Sequence, residues 1–429
     1  MPSGLRIVSL VGLSAVVSCT AACEGTPGGR KIGVRPGTSS AQIAAAKDRE
    51  RERDEGTSEE VQPIGLEPAA RPESPATGRQ AKPREAATAP APQAPPAPPT
   101  PPARPRGTPE APRPLLDKGV PMTKTERTTL REQALGLLSS AAQAGPPEER
   151  ANAIEALTAT PARLAAVLEP ALQDQNVGVR SVAAMAAGKA RIVDAAGLIR
   201  PLLQDESRFV RSAAIYGLYK LGQKPNATPL AGMLFDPSPR VRAQAAFIMG
   251  EMGEKSALGP LREAAKIPAG RSSPGEVRAM DLQIAEARVK LGDESALADI
   301  RTALFPAKPE DLEASILAMQ IIGQVRDRAS ANRLIELTSD KDPTKQAMPG
   351  EIRVAAAMAL ARLGQAEGSY IAREYYAGAS EALRAQSAHL MGELGRAENL
   401  GILARMMDDP DGRVRVAAAS AVVKVTDRE

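Results

Sequence analysis

Side chains able to do chemistry are scarce in this chain of 429 residues. It has one histidine, His389, two cysteines, Cys19 and Cys23, and no tryptophan. Both cysteines precede Glu24, so everything beyond lacks a thiol nucleophile, a disulfide and a Cys/His zinc site. With no second His or Cys nearby, His389 can anchor neither a metal site nor a catalytic triad. Asp408-Asp409-Pro410-Asp411-Gly412 has the oxygen density of a calcium loop without its alternating spacing. Tyr370, Tyr375 and Tyr376 form the only late aromatic cluster, and their neighbours suit core packing better than a stacking platform. There is no Gly-rich phosphate loop, nucleophile elbow or HExxH helix. The expectation is a protein that is not an enzyme and carries no cofactor and no metal.

One pattern remains, a recurring row of Asp and Arg, and a repeat positions it. Val179-Arg180-Ser181-Val182-Ala183-Ala184, Val210-Arg211-Ser212-Ala213-Ala214 and Val241-Arg242-Ala243-Gln244-Ala245-Ala246 place their arginines 31 residues apart. Arg353, Arg384 and Arg415 resume the same spacing, and Glu149-Arg150-Ala151 begins a weaker unit. Asp174, Asp205, Asp236 and Asp409 each stand six residues before such an arginine. Val241, Ala245, Met249 and Met252 draw one apolar stripe on a helix. Asp236-Pro237 ahead of that stripe predicts an N-cap followed by a first-turn proline. Gly222, Gly253, Gly364 and Gly395, eleven residues after an arginine, suit left-handed C-caps, with Gly292 and Gly323 marking two diverged units. Each unit is then a helical hairpin that buries its apolar face only by stacking on its neighbours.

These repeats resemble the HEAT-like repeats first associated with phycobilisome lyases, over about residues 147–429. The resemblance implies an all-α solenoid of eight to nine helical hairpins. It also implies that Asp174, Arg180, Asp205, Arg211, Asp236, Arg242, Arg353, Arg384, Asp409 and Arg415 form a structural ladder between turns. Asp281 stands at the arginine position of one middle unit, which weakens the ladder there. His389 takes a place held elsewhere by Met185, Tyr216, Phe247 and Met358, and so reads as a packed residue.

The N-terminal third differs. Residues 24–121 hold 20 of the 38 prolines and no aromatic residue, too little apolar surface to offset ordering entropy. Residues 1–18 read as a secretory signal, with an apolar run from Ile7 to Val17 too short to span a bilayer. Val16-Val17-Ser18-Cys19 resembles the bacterial lipobox, which implies lipidation of Cys19 and a membrane anchor. Thr20 in place of Asp then points to the outer membrane. An ordinary cleavage site at Thr20-Ala21-Ala22, releasing a secreted protein, an uncleaved anchor and a chance apolar run are the alternatives. The domain division is a signal peptide (1–18), a disordered Pro/Ala-rich linker (19–121) and the α-solenoid (122–429).

Residues 122–429 carry 39 basic and 38 acidic groups, without the basic footprint of a nucleic-acid binder. A protein partner is expected instead. Spacing between the glycines stretches at Ile267–Pro274 and Ser339–Pro349, giving two long loops on one edge. Their polar residues, Arg271, Ser272, Ser273, Lys341, Asp342 and Lys345, are the candidate binding positions. The function expected is an envelope-tethered protein-interaction scaffold offering a concave surface and a looped edge. A filled concave face would count heavily against the scaffold reading. The alternatives are a lyase-like or cofactor-chaperone protein and a cell-wall-associated or self-associating structural protein.

Overall fold

The first helix opens on a reciprocal cap. Thr123 Oγ1 accepts the Glu126 backbone N–H while the Glu126 carboxylate accepts the Thr123 N–H at 2.7 Å. From there the computed structural model describes residues 122–306, 311–342 and 345–428. The signal segment, Cys19 and the linker lie outside the described residues.

The described chain is an α-solenoid. After α1 (Lys124–Ala144) come α2 (Pro147–Ala156), α3 (Pro161–Leu172), α4 (Val177–Lys189), α5 (Ala196–Ile199, continued by a 3-10 turn), α6 (Arg208–Lys220), α7 (Thr228–Leu234), α8 (Pro239–Met252) and α9 (Leu258–Lys266). Then follow α10 (Pro274–Lys290), α11 (Leu297–Thr302), α12 (Leu312–Val325), α13 (Ala331–Leu337), α14 (Gly350–Arg362), α15 (Ile371–Tyr375), α16 (Glu381–Leu394), α17 (Leu400–Met406) and α18 (Gly412–Thr426). The even-numbered helices pack on one another in succession, and the shorter odd-numbered ones from α3 onward cover one side of them. The apolar stripe does the covering work: Val210, Ala214 and Leu218 on α6 are all buried. So are Leu230 and Leu234 of α7. Each fully buried large aliphatic side chain contributes about 1.5–3 kcal/mol.

Small residues set how closely the even helices approach. A Cβ added at Gly188 of α4 would lie 2.7 Å from Gly217 Cα of α6. The same contact recurs between Gly250 and Ala287 and between Gly392 and Ala421. Gly323 belongs to this set too, 3.2 Å from Ala359 by the same measure, rather than to the C-caps. It sits inside α12, whose left-handed cap is Arg326 at φ 58°. Ser315, eleven residues before that cap, therefore takes the arginine position, and its hydroxyl donates to the Ala303 carbonyl at 2.6 Å. The other expected caps, Gly222, Gly253, Gly292, Gly364 and Gly395, do adopt positive φ.

The N-caps also shift from the expected place. They are Asn176, Ser207, Ser238 and Asp411, two residues beyond each Asp. Each Asp instead accepts the N–H of that cap residue, as Asp205 does from Ser207 at 2.8 Å and Asp236 from Ser238 at 2.9 Å.

Finally the array seals on itself. Helix α18 packs against α16 behind it and against α1 and α2 ahead of it. Arg131 of α1 holds Asp427 through Nε (3.1 Å) and Nη2 (2.7 Å). The Glu149 carboxylate stands against Gly412 at the start of α18.

Candidate functional site

Arginines of the ladder work at the leading edge, where the even helices begin. Arg180 donates from Nε and Nη2 to the two Asp205 oxygens at 2.8 and 3.0 Å, while its Nη1 reaches back to the Asp174 carbonyl at 2.8 Å. Arg150 repeats this fork on Asp174 and Arg384 on Asp409. Every such arginine thus ties its own turn to the next.

The remaining ladder positions depart from that form. Asp236 is held by Arg208, at 2.5 Å, instead of Arg211, which keeps only the carbonyls of Asp205 and Glu206. Arg242, 2 % exposed, donates to the carbonyls of Ala264 and Ile267. Arg353 forks onto Glu374 (2.6 and 2.9 Å) and also reaches the Thr338 carbonyl and Asp340. Arg415 meets the Asp409 and Pro410 carbonyls.

Where this ladder lapses, a second one runs along the trailing edge. Arg262 donates to Asp293 at 2.8 Å, and Arg301 forks onto Asp327 at 2.8 and 2.7 Å. Both aspartates are buried, and both carboxyls are held below the usual range, first by hydrogen bonds from these arginines. The sequence reading did not find this ladder. Its signal was an Asp directly after a helix cap, at Gly292-Asp293 and Arg326-Asp327.

Across this stretch the leading edge keeps ion pairs of another form, Arg240 with Glu276 at 2.7 Å and Arg278 with Asp311 at 2.6 Å, and its connections lengthen three times in succession. The connections 267–273, 303–311 and 338–349 contain seven, nine and twelve residues, against four in 173–176 and 235–238. Positions 307–310 of the middle one lie outside the described residues. Two of these connections expose apolar side chains: Ile267 is 45 % and Phe305 62 % exposed. The Arg333 guanidinium lies 4.4 Å from the centre of the Phe305 ring.

Within these loops the six candidates divide. Arg271, Lys341 and Lys345 are exposed, and Ser272 is half-buried. Ser273 caps α10, with Glu276 completing a capping box. Asp342 shapes a small hairpin: its carbonyl accepts from Lys345 and its carboxylate from the Gln346 N–H, both at 2.9 Å, beside a bridge between Lys341 and Ala347.

The face of the even helices turned away from the odd ones is filled. Met185, Tyr216, Phe247 and Met358, each five residues after a ladder arginine, are 1–6 % exposed and share one apolar cluster. His389 occupies the same place and retains some accessible surface although protein surrounds it. Burial and the nearby Lys424 push its imidazole down to about 4. One helical turn further on, charges pair: Lys290 with Glu251 and Glu286, both at 2.5 Å, and Glu393 with Arg362 and Lys424 at 3.1 and 2.6 Å. Burial opposes the charge on Lys290, but Glu286 and Glu251 outweigh it and raise its pKa.

The other sequence candidates are structural in form. Asp409 accepts the Arg384 fork and the Asp411 N–H, and Asp411 caps α18. Tyr375 accepts from Arg353 Nη1 at 2.8 Å, and Tyr370, 56 % exposed, donates to the Thr338 carbonyl. Among the described residues no group of His, Cys, Asp and Glu is arranged to hold a metal ion, and no helix is long and apolar enough to cross a membrane.

A family model described as HEAT repeats matches residues 134–218 and 165–236. No curated protein matches the chain. Among solved structures, human deoxyhypusine hydroxylase in complex with glycerol is similar at 16 % identity, over 70 % of this chain and 99 % of that one, with a TM-score of 0.31. The complex of CpcE and CpcF of phycocyanin lyase from Nostoc sp. PCC7120 is similar at 17 % identity, over 62 % and 94 %, with a TM-score of 0.27. An engineered protein is similar at 16 % identity, over 72 % and 97 %, with a TM-score of 0.28.

Proposed function

We propose that this chain is an envelope-tethered scaffold that binds another protein through the lengthened sector of its leading edge. The observation that carries the reading is the run of lengthened loops. Where Arg262–Asp293 and Arg301–Asp327 brace the trailing edge, three consecutive leading-edge connections lengthen, and two of them expose Ile267 and Phe305. Apolar anchors on the same run of loops as exposed cations such as Arg271, Lys341 and Lys345 suit a protein interface. The concave surface expected from the repeats plays no part, because that face is occupied by the protein's own side chains. Cys19 supplies the lipid anchor at the outer membrane, and the proline-rich segment the reach. The scaffold performs no catalysis of its own.

The test is affinity capture from native envelope with the whole chain, beside a copy whose three loops are cut to four residues. A partner retained by the first and lost by the second supports the reading. Equal retention by both would move the interface elsewhere. Replacing Cys19 with Ser and following the protein's partition between membrane and soluble fractions tests the tether separately.

A further inference from the structure

Arg211 and Arg415 keep the ladder's geometry without the ladder's carboxylate, and of the two Arg211 lines a cleft. Arg150, Arg180 and Arg384 each present Nε and Nη2 as a fork to an Asp of the following turn, with Nη1 on carbonyls of their own turn. Arg211 keeps the second half of this arrangement, Nη1 lying 2.6 and 3.0 Å from the Asp205 and Glu206 carbonyls. Its fork finds no acceptor among the described residues, because Asp236 is diverted. Arg208 takes one Asp236 oxygen at 2.5 Å and the Ser238 N–H takes the other at 2.9 Å. Arg208 is peculiar to this repeat: the same place, three residues before the arginine, holds Pro147, Val177, Pro239, Gly350, Glu381 and Gly412 elsewhere.

Arg211 also lines a cleft of about 280 Å³ between α6 and α7. Ile215, Pro229 and Met233 make its apolar wall, and Arg208, Ser212 and Asp236 its polar rim. With two guanidiniums against one carboxylate, the rim is left with a net positive charge. A planar guanidinium fork beside an apolar wall matches a carboxylate attached to an aliphatic group.

We propose that this cleft is a carboxylate-binding site, in which a ligand supplies to Arg211 the group that Asp205 supplies to Arg180. The chemistry fits a peptide's C-terminal carboxylate or an acidic side chain, with the adjoining aliphatic group on Ile215 and Met233. The site stands independently of the loop sector and does not need that sector to be the docking surface.

The full chain, labelled with 15N at arginine, is titrated with three probes while its Nε–H resonances are followed. N-acetyl-leucine offers a terminal carboxylate, N-acetyl-aspartate methylamide a side-chain carboxylate, and N-acetyl-leucinamide none. The Arg211 signal is identified by its disappearance in Arg211→Lys. It should shift saturably with one or both carboxylates at roughly millimolar Kd, as suits ligands of about a dozen heavy atoms, and stay still with the amide. The carboxylate that binds more tightly names the source. No saturable shift with either carboxylate, or an equal shift with the amide, overturns the proposal.

Two variants guard against a nonspecific charge effect. Arg211→Lys keeps the charge and loses the fork, so binding followed by calorimetry should weaken about tenfold. Arg208→Gln releases Asp236 to complete the ladder with Arg211 and should weaken binding comparably while the fold is retained. Undiminished affinity in either variant would overturn the assignment.

Discussion

Helix α18 is expected to seal the repeat array, and Val423→Glu should break that seal. Val416, Ala419 and Val423 follow one side of α18 at helical spacing, and Asp427, one turn beyond, is held by Arg131 of α1. Their exposures are 3, 0 and 2 %. Ala421 faces Gly392 of α16, while α1, α2 and α17 pack on the rest of α18, and the Arg131–Asp427 pair assigns the Val423 side to α1. Val423→Ala removes two methyl groups, about 1.6 kcal/mol at ~0.8 kcal/mol per carbon, and a residual cavity brings the cost to about 2 kcal/mol. An unpaired carboxylate at the same place costs several kcal/mol, a large fraction of the ~5–15 kcal/mol that holds a typical domain. The array then escapes by opening at the seam, since each repeat touches only its neighbours. Amide hydrogen exchange reads this directly. Protection in α1 and α18 should fall about thirtyfold in Val423→Ala and at least a hundredfold in Val423→Glu, with α6 to α12 much less affected. Unchanged protection of α1 in Val423→Glu would refute closure. Uniform loss across all helices would refute the idea that the seam opens independently.

Further outcomes follow from other contacts. Asp205→Ala leaves Arg180, whose side chain is 11 % exposed, without its acceptor and should cost about 3 kcal/mol in chemical denaturation. Asp236→Ala, whose partner Arg208 is 47 % exposed, should cost under about 1 kcal/mol. Gly188→Ala forces α4 and α6 apart at a 2.7 Å contact and should lower stability by about 1–3 kcal/mol, seen as a shift in Tm. His389 introduces a pH dependence. Its folded pKa of about 4 lies below the ordinary 6.5, so the unfolded chain binds the extra proton between those values. Stability is therefore complete above about pH 6.5 and declines as pH falls toward 4, by up to about 3 kcal/mol. Lys424, Arg362 and Glu393 face the ring and set this shift together with burial. His389→Met, matching Met185 and Met358, should flatten the stability profile in that window, and a wild-type slope surviving there would contradict the assignment.

The helical repeat was legible because small, regularly spaced signals agreed: an apolar stripe, an Asp six residues before an Arg, and a glycine after the last turn. Five of the six glycines expected as caps have positive φ. Gly323 misled because spacing alone cannot separate a capping glycine from one that admits a neighbouring helix. Its 31-residue distance from Gly292 imitated the first role while Ala359 required the second. With Arg326 as the cap, successive caps from Gly253 are 39, 34 and 38 residues apart, so three loops lengthen rather than two. The N-caps were displaced for a related reason. Each ladder Asp stands two residues ahead of the cap, where its carboxylate meets the cap residue's own N–H rather than those of the first turn. Closure was legible in principle. Val416, Ala417, Ala418, Ala419, Ala421, Val422, Val423 and Val425 make α18 apolar on nearly every side, as a helix covered on both flanks requires. What no local pattern contains is where Asp236 turns, since that depends on Arg208 reaching across from the previous repeat.

Sealing and binding are linked through this use of edges. An open solenoid has two ends and a concave face to offer a partner. Here α18 meets α1, and Met185, Tyr216, Phe247 and Met358 occupy the inward side, so both are spent on stability. On the proposed reading the partner is met at the edges. Between α9 and α14 the leading edge lengthens while Asp293 and Asp327 brace the trailing edge, and Arg278 with Asp311 still ties its turns. Asp293→Ala and Asp327→Ala together remove the trailing-edge ladder and should loosen α10 to α13, raising hydrogen exchange there and in the three loops. If those loops keep their protection, they are held by contacts of their own, such as Arg353 with Asp340, and the trailing-edge brace does not explain where they stand.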